Sequence, residues 1–232
     1  MSRFVFKLSL TLALTSFATT AFMPTASARA VTVEDQLKVP STELRIAPPI
    51  LDRAAVRAAL LAQRRANIAR FHAYRIGGVY PSNVFTNGSA NVWQDQQGHF
   101  CAAATIIRAS GEVSLVERIA EENNFFRIAD VSQGPVMDWI LTSGLTQAEL
   151  VMIQKPFMPV TKRPELEPAE PIAVNPKLRA AETRRLAKLY KEIEAKLAKQ
   201  QRANLELAVE RLMKRPDLAQ QLLGSSRTAS AS

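Results

Sequence analysis

The sequence predicts a mainly α fold. A compact domain of short helices with a small β-hairpin element is expected to precede a Pro-rich linker and a long, basic C-terminal helix. Three observations predict this arrangement. Apolar residues recur at helical spacing in most segments after residue 52. Turn-forming residues separate those segments at short intervals. Residues 177–215 contain no Gly or Pro and are rich in Ala, Leu, Lys, Arg and Glu.

Residues 1–30 have the pattern of a secretory signal peptide. Arg3 and Lys7 supply positive charge, an apolar run follows, and two A-x-A cleavage sites overlap at residues 26–30. The apolar run is interrupted by Ser and Thr, whereas a membrane anchor needs about 20 predominantly apolar residues. We therefore predict cleavage after Ala28 or Ala30, no transmembrane segment in the mature chain, and a periplasmic or secreted location.

The mature chain is predicted to begin with an extended arm at residues 31–51, because this stretch has no sustained period and contains three Pro. Asp52 is a candidate N-cap for a first helix that ends at Gly77 and Gly78. We expect this Ala-rich helix to dock on the domain through an apolar stripe, with its arginines outward. The arginines assigned to the outer face are Arg53, Arg57, Arg64, Arg65, Arg70 and Arg75.

The globular mainly-α domain is predicted at residues 52–157, and its β element is expected around Asn87-Gly88. This dipeptide favours a hairpin turn when strands flank it. A second turn is predicted at residues 95–98. Asn87 also begins an Asn-Gly-Ser pattern, which is a glycosylation acceptor only if the host modifies exported chains on Asn.

Short, individually capped helices are predicted in the rest of the domain, at residues 101–110, 111–123, 136–142 and 146–155. The last of them opens with a capping box, in which Thr146 and Glu149 satisfy each other's backbone amides. Short capped helices are typical of a compact helical domain rather than of a bundle of long rods.

The C-terminal region has three predicted parts. Residues 158–176 form a Pro-rich, semi-rigid linker. Residues 177–215 form one long amphipathic helix with twelve basic and five acidic residues, a net charge of +7. A short coiled-coil seam is possible in it, because Leu186, Tyr190, Ile193 and Leu197 repeat at intervals of 4, 3 and 4. Residues 216–232 are expected to add a short helical turn and a disordered tail.

Cys101 and His99 are the candidate catalytic residues. The Cys is unique in the chain, so it cannot form an internal disulfide. Placed in the first turn of a helix, its thiol could have a lowered pKa, since the helix N-terminus favours an anion. A nearby His base would complete the outline of a nucleophilic site. The alternative is a buried packing residue, because Cys is among the most buried residue types.

No cofactor or metal is expected. The sequence has no Gly-rich phosphate loop and no Ser in a nucleophile elbow. His72 and His99 are its only imidazoles, and neither belongs to a cluster with ligand spacing.

We therefore expect a non-enzymatic interaction or structural protein of the cell envelope or secreted space. Its partner would be a protein or a second copy, bound through the C-terminal helix. Two alternatives are open. One is an anion-binding surface protein that uses this helix on an envelope polymer or lipid surface. The other is a cysteine-dependent enzyme centred on Cys101. A nucleic-acid partner is not expected.

Overall fold

A computed structural model describes residues 50–82, 92–154 and 175–230, with side chains described up to residue 226. In these ranges the chain forms eight α-helices and one short 3₁₀ helix. The predicted mainly α fold is confirmed.

Several predicted features lie outside the described residues. They are the signal peptide at 1–30, the extended arm up to residue 49, the Asn87-Gly88 turn and the Pro-rich linker up to residue 174.

The first helix, α1 (Arg53–Gly77), begins and ends where local signals predict. The Asp52 carboxylate accepts a hydrogen bond from the Ala54 amide at 2.8 Å, which satisfies one of the unpaired amides of the first turn. Gly78 then adopts a left-handed conformation with φ of 64°, and its amide donates to the carbonyl of Tyr74. This helix packs against α2 and the three C-terminal helices, so it is the central element of the fold.

Short helices follow: α2 (Ala102–Ala109), α3 (Val113–Glu122), the 3₁₀ helix (Ile128–Asp130), α4 (Pro135–Thr142) and α5 (Gln147–Gln154). The predicted capping box is confirmed. The Thr146 amide donates to the Glu149 carboxylate at 2.8 Å, and the Glu149 amide donates to the Thr146 hydroxyl at 3.3 Å.

The C-terminal region departs from the prediction of one helix at 177–215. It forms α6 (Pro176–Lys199) and α7 (Gln201–Met213), separated at Gln200, and then α8 (Pro216–Ser230). The polar residues between Leu197 and Leu205 interrupt the apolar seam, and a break there lets the apolar residues on both sides reach the core. The short turn and disordered tail predicted at 216–232 are also wrong as far as residue 230, because α8 buries Leu218 and Leu222.

Two clusters of buried side chains form the core of one compact unit that contains all the described helices. The larger cluster joins α1 to α2–α5 and includes the entire seam of α6, from Leu186 to Leu197. The smaller joins the first turns of α1 to α7 and α8. The C-terminal helices therefore complete the core around α1.

The predicted β-hairpin element is not supported. Within the described ranges no strand is present, and the β structure consists of one isolated antiparallel bridge between Gln94 and Phe100. The backbone beside this bridge is bound by Asn124: its carbonyl accepts from the Trp93 amide at 2.7 Å, and its side chain pairs with both backbone groups of Gln94 at 2.8 Å. These backbone groups are therefore engaged by a loop. The predicted turn at 95–98 is confirmed, since the Gly98 amide donates to the Asp95 carbonyl at 3.0 Å.

Gly144 permits the close approach of α1 to the turn that precedes α5. Its φ is 73°, and a Cβ atom at this position would overlap the carbonyl oxygen of Leu60. Only glycine satisfies both conditions.

None of the helices in the described ranges is long and apolar enough to span a membrane.

The packing of α6 predicts different effects for two leucines in the same helix. Leu186→Ala should lower the free energy of unfolding by about 3 kcal/mol, because it opens a cavity at a side chain that is 1% exposed. Leu178→Ala is the matched control: Leu178 is 70% exposed, so the change should stay within about 0.5 kcal/mol. Urea denaturation followed by tryptophan fluorescence measures both. Equal effects would mean that α6 is not part of the core.

Candidate functional site

Cys101 is the N-cap residue of α2, one residue from its predicted place in the first turn. Its side chain is 1% exposed and belongs to the core cluster that also contains Tyr74, Tyr80 and Tyr190. Its amide donates to the Trp93 carbonyl at 2.9 Å, which anchors the start of the helix. The structure therefore places this thiol in the core.

Burial raises the pKa of the Cys101 thiol to about 12, although the helix amides of Ala104 and Ala103 act in the opposite direction. Desolvation of a thiolate in an apolar core outweighs the attraction of a helix N-terminus. The thiol is consequently protonated at neutral pH, whereas a nucleophilic Cys needs a lowered pKa.

The tyrosines around Cys101 form a packed aromatic group. The Tyr190 ring lies 5.5 Å from those of Phe71 and Tyr74 and 5.2 Å from that of Tyr80, measured between centroids. Burial raises the pKa of Tyr74 and of Tyr190. These hydroxyls are therefore neutral packing groups rather than proton acceptors.

His99, the second candidate, binds Asp95. Its Nδ1 lies 3.0 Å from a carboxylate oxygen of Asp95, whose side chain is fully buried. The same carboxylate accepts from the amides of Ser82, Gln97 and His99 at 2.8–3.0 Å. His99 thus takes part in a turn organised by Asp95, and the structure pairs it with that carboxylate rather than with the thiol. An Asp that binds the amide two residues later is a recognisable turn signal.

Arg64 does not lie where the helical pattern of α1 predicts. The sequence predicts an outward position for this side chain, but it is 1% exposed and binds the fully buried Glu149. Its two terminal nitrogens bind the two carboxylate oxygens at 2.7 and 2.9 Å. They also donate to the carbonyls of Gly144 and Leu197, both at 3.1 Å. This bidentate pair connects α1, α5 and the end of α6.

Glu149 is held in its charged form. Burial alone would raise the pKa of its carboxyl, but hydrogen bonds from Arg64, the Thr146 amide and Asn204 outweigh this effect and lower the pKa. The Asn204 amide reaches the carboxylate from α7 at 2.8 Å. A carboxylate so fully bound and so deeply buried stabilises the fold and is unsuited to proton transfer with a substrate.

The outer face of α6 carries what we call the basic stripe, which lies opposite the buried seam. Its members recur at intervals of 7, 4, 3 and 8 residues and span about 33 Å of helix. They are Lys177, Arg184, Lys188, Lys191 and Lys199. All five are exposed, and within the described ranges none forms an ion pair with a carboxylate.

Part of the negative charge of the C-terminal helices is engaged by α1 and does not offset the charge of the stripe. Glu194 of α6 binds Arg75 of α1 at 2.9 Å. Glu206 of α7 binds Arg57 at 2.6 Å and Arg53 at 3.3 Å. Four of the six arginines that were expected to face solvent therefore pair with the same chain's Glu residues, Arg64 among them. The basic residues of the stripe on α6 have no such partner in the described ranges.

Metal ligation has no support in the part of the chain that the structure describes, where no three His, Cys, Asp or Glu side chains are close enough to hold an ion. Comparisons of the chain with protein-family models, with curated protein sequences and with solved structures find no match. The candidate site therefore rests on the geometry of this chain alone.

The buried thiol predicts slow alkylation. Iodoacetamide at pH 8 should modify Cys101 at least about a hundredfold more slowly in the native protein than in guanidinium chloride, because a buried thiol reacts only through opening of the fold. Mass spectrometry of timed samples measures the rate. Rapid native alkylation that follows a pKa below 8 would instead establish an activated thiol.

The lowered pKa of Glu149 predicts a pH-dependent effect of Glu149→Gln. The substitution leaves Arg64 buried with a neutral partner and should lower the free energy of unfolding by about 3 kcal/mol near pH 7. The pKa of the Glu149 carboxyl is lower in the folded protein than its ordinary value of 4.5. The carboxylate therefore contributes fully to the free energy of unfolding well above pH 4.5, and this contribution is lost as pH falls through the pKa of the folded state. The stability difference between wild type and variant should therefore shrink at low pH.

Chemical denaturation between pH 7 and pH 3 measures this difference. Glu117→Gln is the control, since its exposed ion pair with Arg108 should contribute less than about 1 kcal/mol. A constant penalty for Glu149→Gln across this range would show that its carboxylate does not titrate as we expect.

Proposed function

We propose that the mature chain is an exported, non-enzymatic interaction protein of the cell envelope or secreted space, and that its partner is an anionic polymer bound along the basic stripe of α6. The observation that carries the proposal is the sorting of charge. The carboxylates of Glu194 and Glu206 face α1, and the lysines of α6 face solvent.

The spacing of the stripe suits a linear polyanion. Its members repeat along one helix face, so successive negative groups of an extended chain could each meet a positive side chain. Each such contact is weak by itself because exposed charges are screened, but several along one chain act together. The inward direction of Glu194 and Glu206 also removes repulsion that would otherwise oppose an anion.

Other partners are supported less well. The apolar seam of α6 is packed inside this chain, so it is not available for a partner helix or for insertion into a lipid surface. An exported location favours an envelope polymer over nucleic acid. The burial of Cys101 and its raised pKa disfavour a thiol-based reaction.

The test compares binding of the mature chain to linear polyphosphate, polygalacturonate and phosphatidylglycerol vesicles as salt rises. Binding to the polymers should weaken strongly between about 0.05 and 1 M salt, because the screening length falls to about 3 Å. The double substitution Lys188→Glu/Lys191→Glu should weaken it by at least about tenfold, since each basic residue near an anionic surface contributes about 1 kcal/mol.

Arg65→Glu/Arg118→Glu is the matched control. It changes the net charge equally, but both residues are exposed on other helices, α1 and α3, and neither belongs to the stripe. If both double variants weaken binding equally, the attraction depends on net charge and the stripe is not the site. Binding that does not respond to salt contradicts the electrostatic proposal, and vesicle binding alone would favour a lipid surface.

A further inference from the structure

A polar groove opens on another side of the domain, between α1, α4 and α8. Its volume is about 420 Å³, which lies in the range of small-molecule sites. The turn between α2 and α3 closes one end through Ser110 and Glu112. None of the residues of the basic stripe lines it, so the groove is a separate feature of the surface.

The floor of the groove is held rigidly by hydrogen bonds. Asn67, which is 1% exposed, donates to the Ser143 carbonyl at 2.9 Å and accepts from Arg70 at 2.7 Å. The indole nitrogen of Trp139 donates to the Ser110 hydroxyl at 2.7 Å. These bonds fix the amide and the aromatic ring in place, so a ligand would meet a largely preformed surface.

The rim supplies hydrogen-bonding groups without a partner of their own. In the described part of the chain, the side chains of Gln63, Glu112 and Gln221 make no hydrogen bond or ion pair. Asp138 also lines the groove and has one carboxylate oxygen bound to Arg215 at 3.3 Å. Two primary amides can each donate and accept, and the carboxylates accept.

The charge of the lining restricts the chemistry of the ligand. Among the described residues that line the groove, none is basic, and two are acidic. The lining therefore offers no cation of its own to pair with an anionic ligand. A purely cationic ligand would satisfy the carboxylates but would offer no acceptor to the amide donors of Gln63 and Gln221, so these two side chains would add nothing to its affinity. A neutral ligand with several hydroxyl groups both donates and accepts, so it matches all of these side chains.

We propose that this groove binds a small neutral saccharide, a mono- or disaccharide, with its hydroxyl groups on Gln63, Glu112 and Gln221 and with Trp139 at the floor. This site is independent of the basic stripe, and its ligand is uncharged. It would give the protein two recognition surfaces, one for negative charge and one for hydroxyl groups.

The two tryptophans make a direct test possible. Trp139 lines the groove, whereas Trp93 is fully buried elsewhere, with its indole bound to the Val116 carbonyl at 3.0 Å. Nitrogen–proton correlation NMR of the mature chain should show the Trp139 indole signal moving on titration with N-acetylglucosamine, its disaccharide or maltose. We expect a dissociation constant on the order of a millimolar, with no movement of the Trp93 signal.

Gln221→Ala should weaken saccharide binding roughly three- to tenfold through loss of its hydrogen bonds. Gln220→Ala is the matched control, because Gln220 is exposed on the same helix but does not line the groove. Galacturonate and spermidine test the charge argument and should bind more weakly than the neutral sugars.

Three results would overturn the proposal. The first is that no tested sugar moves the Trp139 signal, or that both indole signals move together. The second is that the two glutamine substitutions have equal effects. The third is tighter binding of galacturonate or spermidine, which would identify an ionic site. Failure of the saccharide proposal would not affect the proposal of polymer binding at α6, because polymer binding is measured with charge-reversal variants of other residues.

Discussion

The buried pair between Arg64 and Glu149 is the interaction on which the arrangement of the helices depends. Removing two charges from water is costly, so such a pair persists only when nearly all of its polar atoms are bound. The surrounding groups meet this demand from several directions, through Gly144, Leu197 and Asn204. Because each of these groups comes from a different part of the chain, the pair specifies how α1, α5, α6 and α7 meet.

The break between α6 and α7 has a physical reason in the same network. The last carbonyls of a helix have no partner within it. Leu197 lies in the final turn of α6, and its carbonyl accepts from Arg64 at 3.1 Å. A short distance further on, α7 presents the Asn204 amide to Glu149. An uninterrupted helix would bind the Leu197 carbonyl internally, so the break at Gln200 supports both contacts with the buried charges.

The same packing decides which charges are available to a partner. The glutamates of α6 and α7 that face α1 neutralise arginines of that helix, and the lysines on the opposite side of α6 are left outward. A net charge read from the sequence therefore understates how far the two signs are separated in space. The polar groove is a separate consequence of helix packing, because residues of α1, α4 and α8 line it and the turn after α2 closes one end.

The sequence alone determined the helical class, the limits of α1 at Asp52 and Gly78, the capping box and the turn at residues 95–98. Each depends on residues a few positions apart. The tertiary structure decided the burial of Arg64, the break in the C-terminal helix and, within the described residues, the binding of the Gln94 backbone by Asn124. Arg64 lies four residues from both Leu60 and Ile68, a spacing that favours the same inward face of α1. Its partner Glu149, however, is separated from it by 85 positions in the sequence. An unpaired charge at this position would be too costly to bury, so the burial of Arg64 depends on Glu149. Only the folded chain brings the two side chains together.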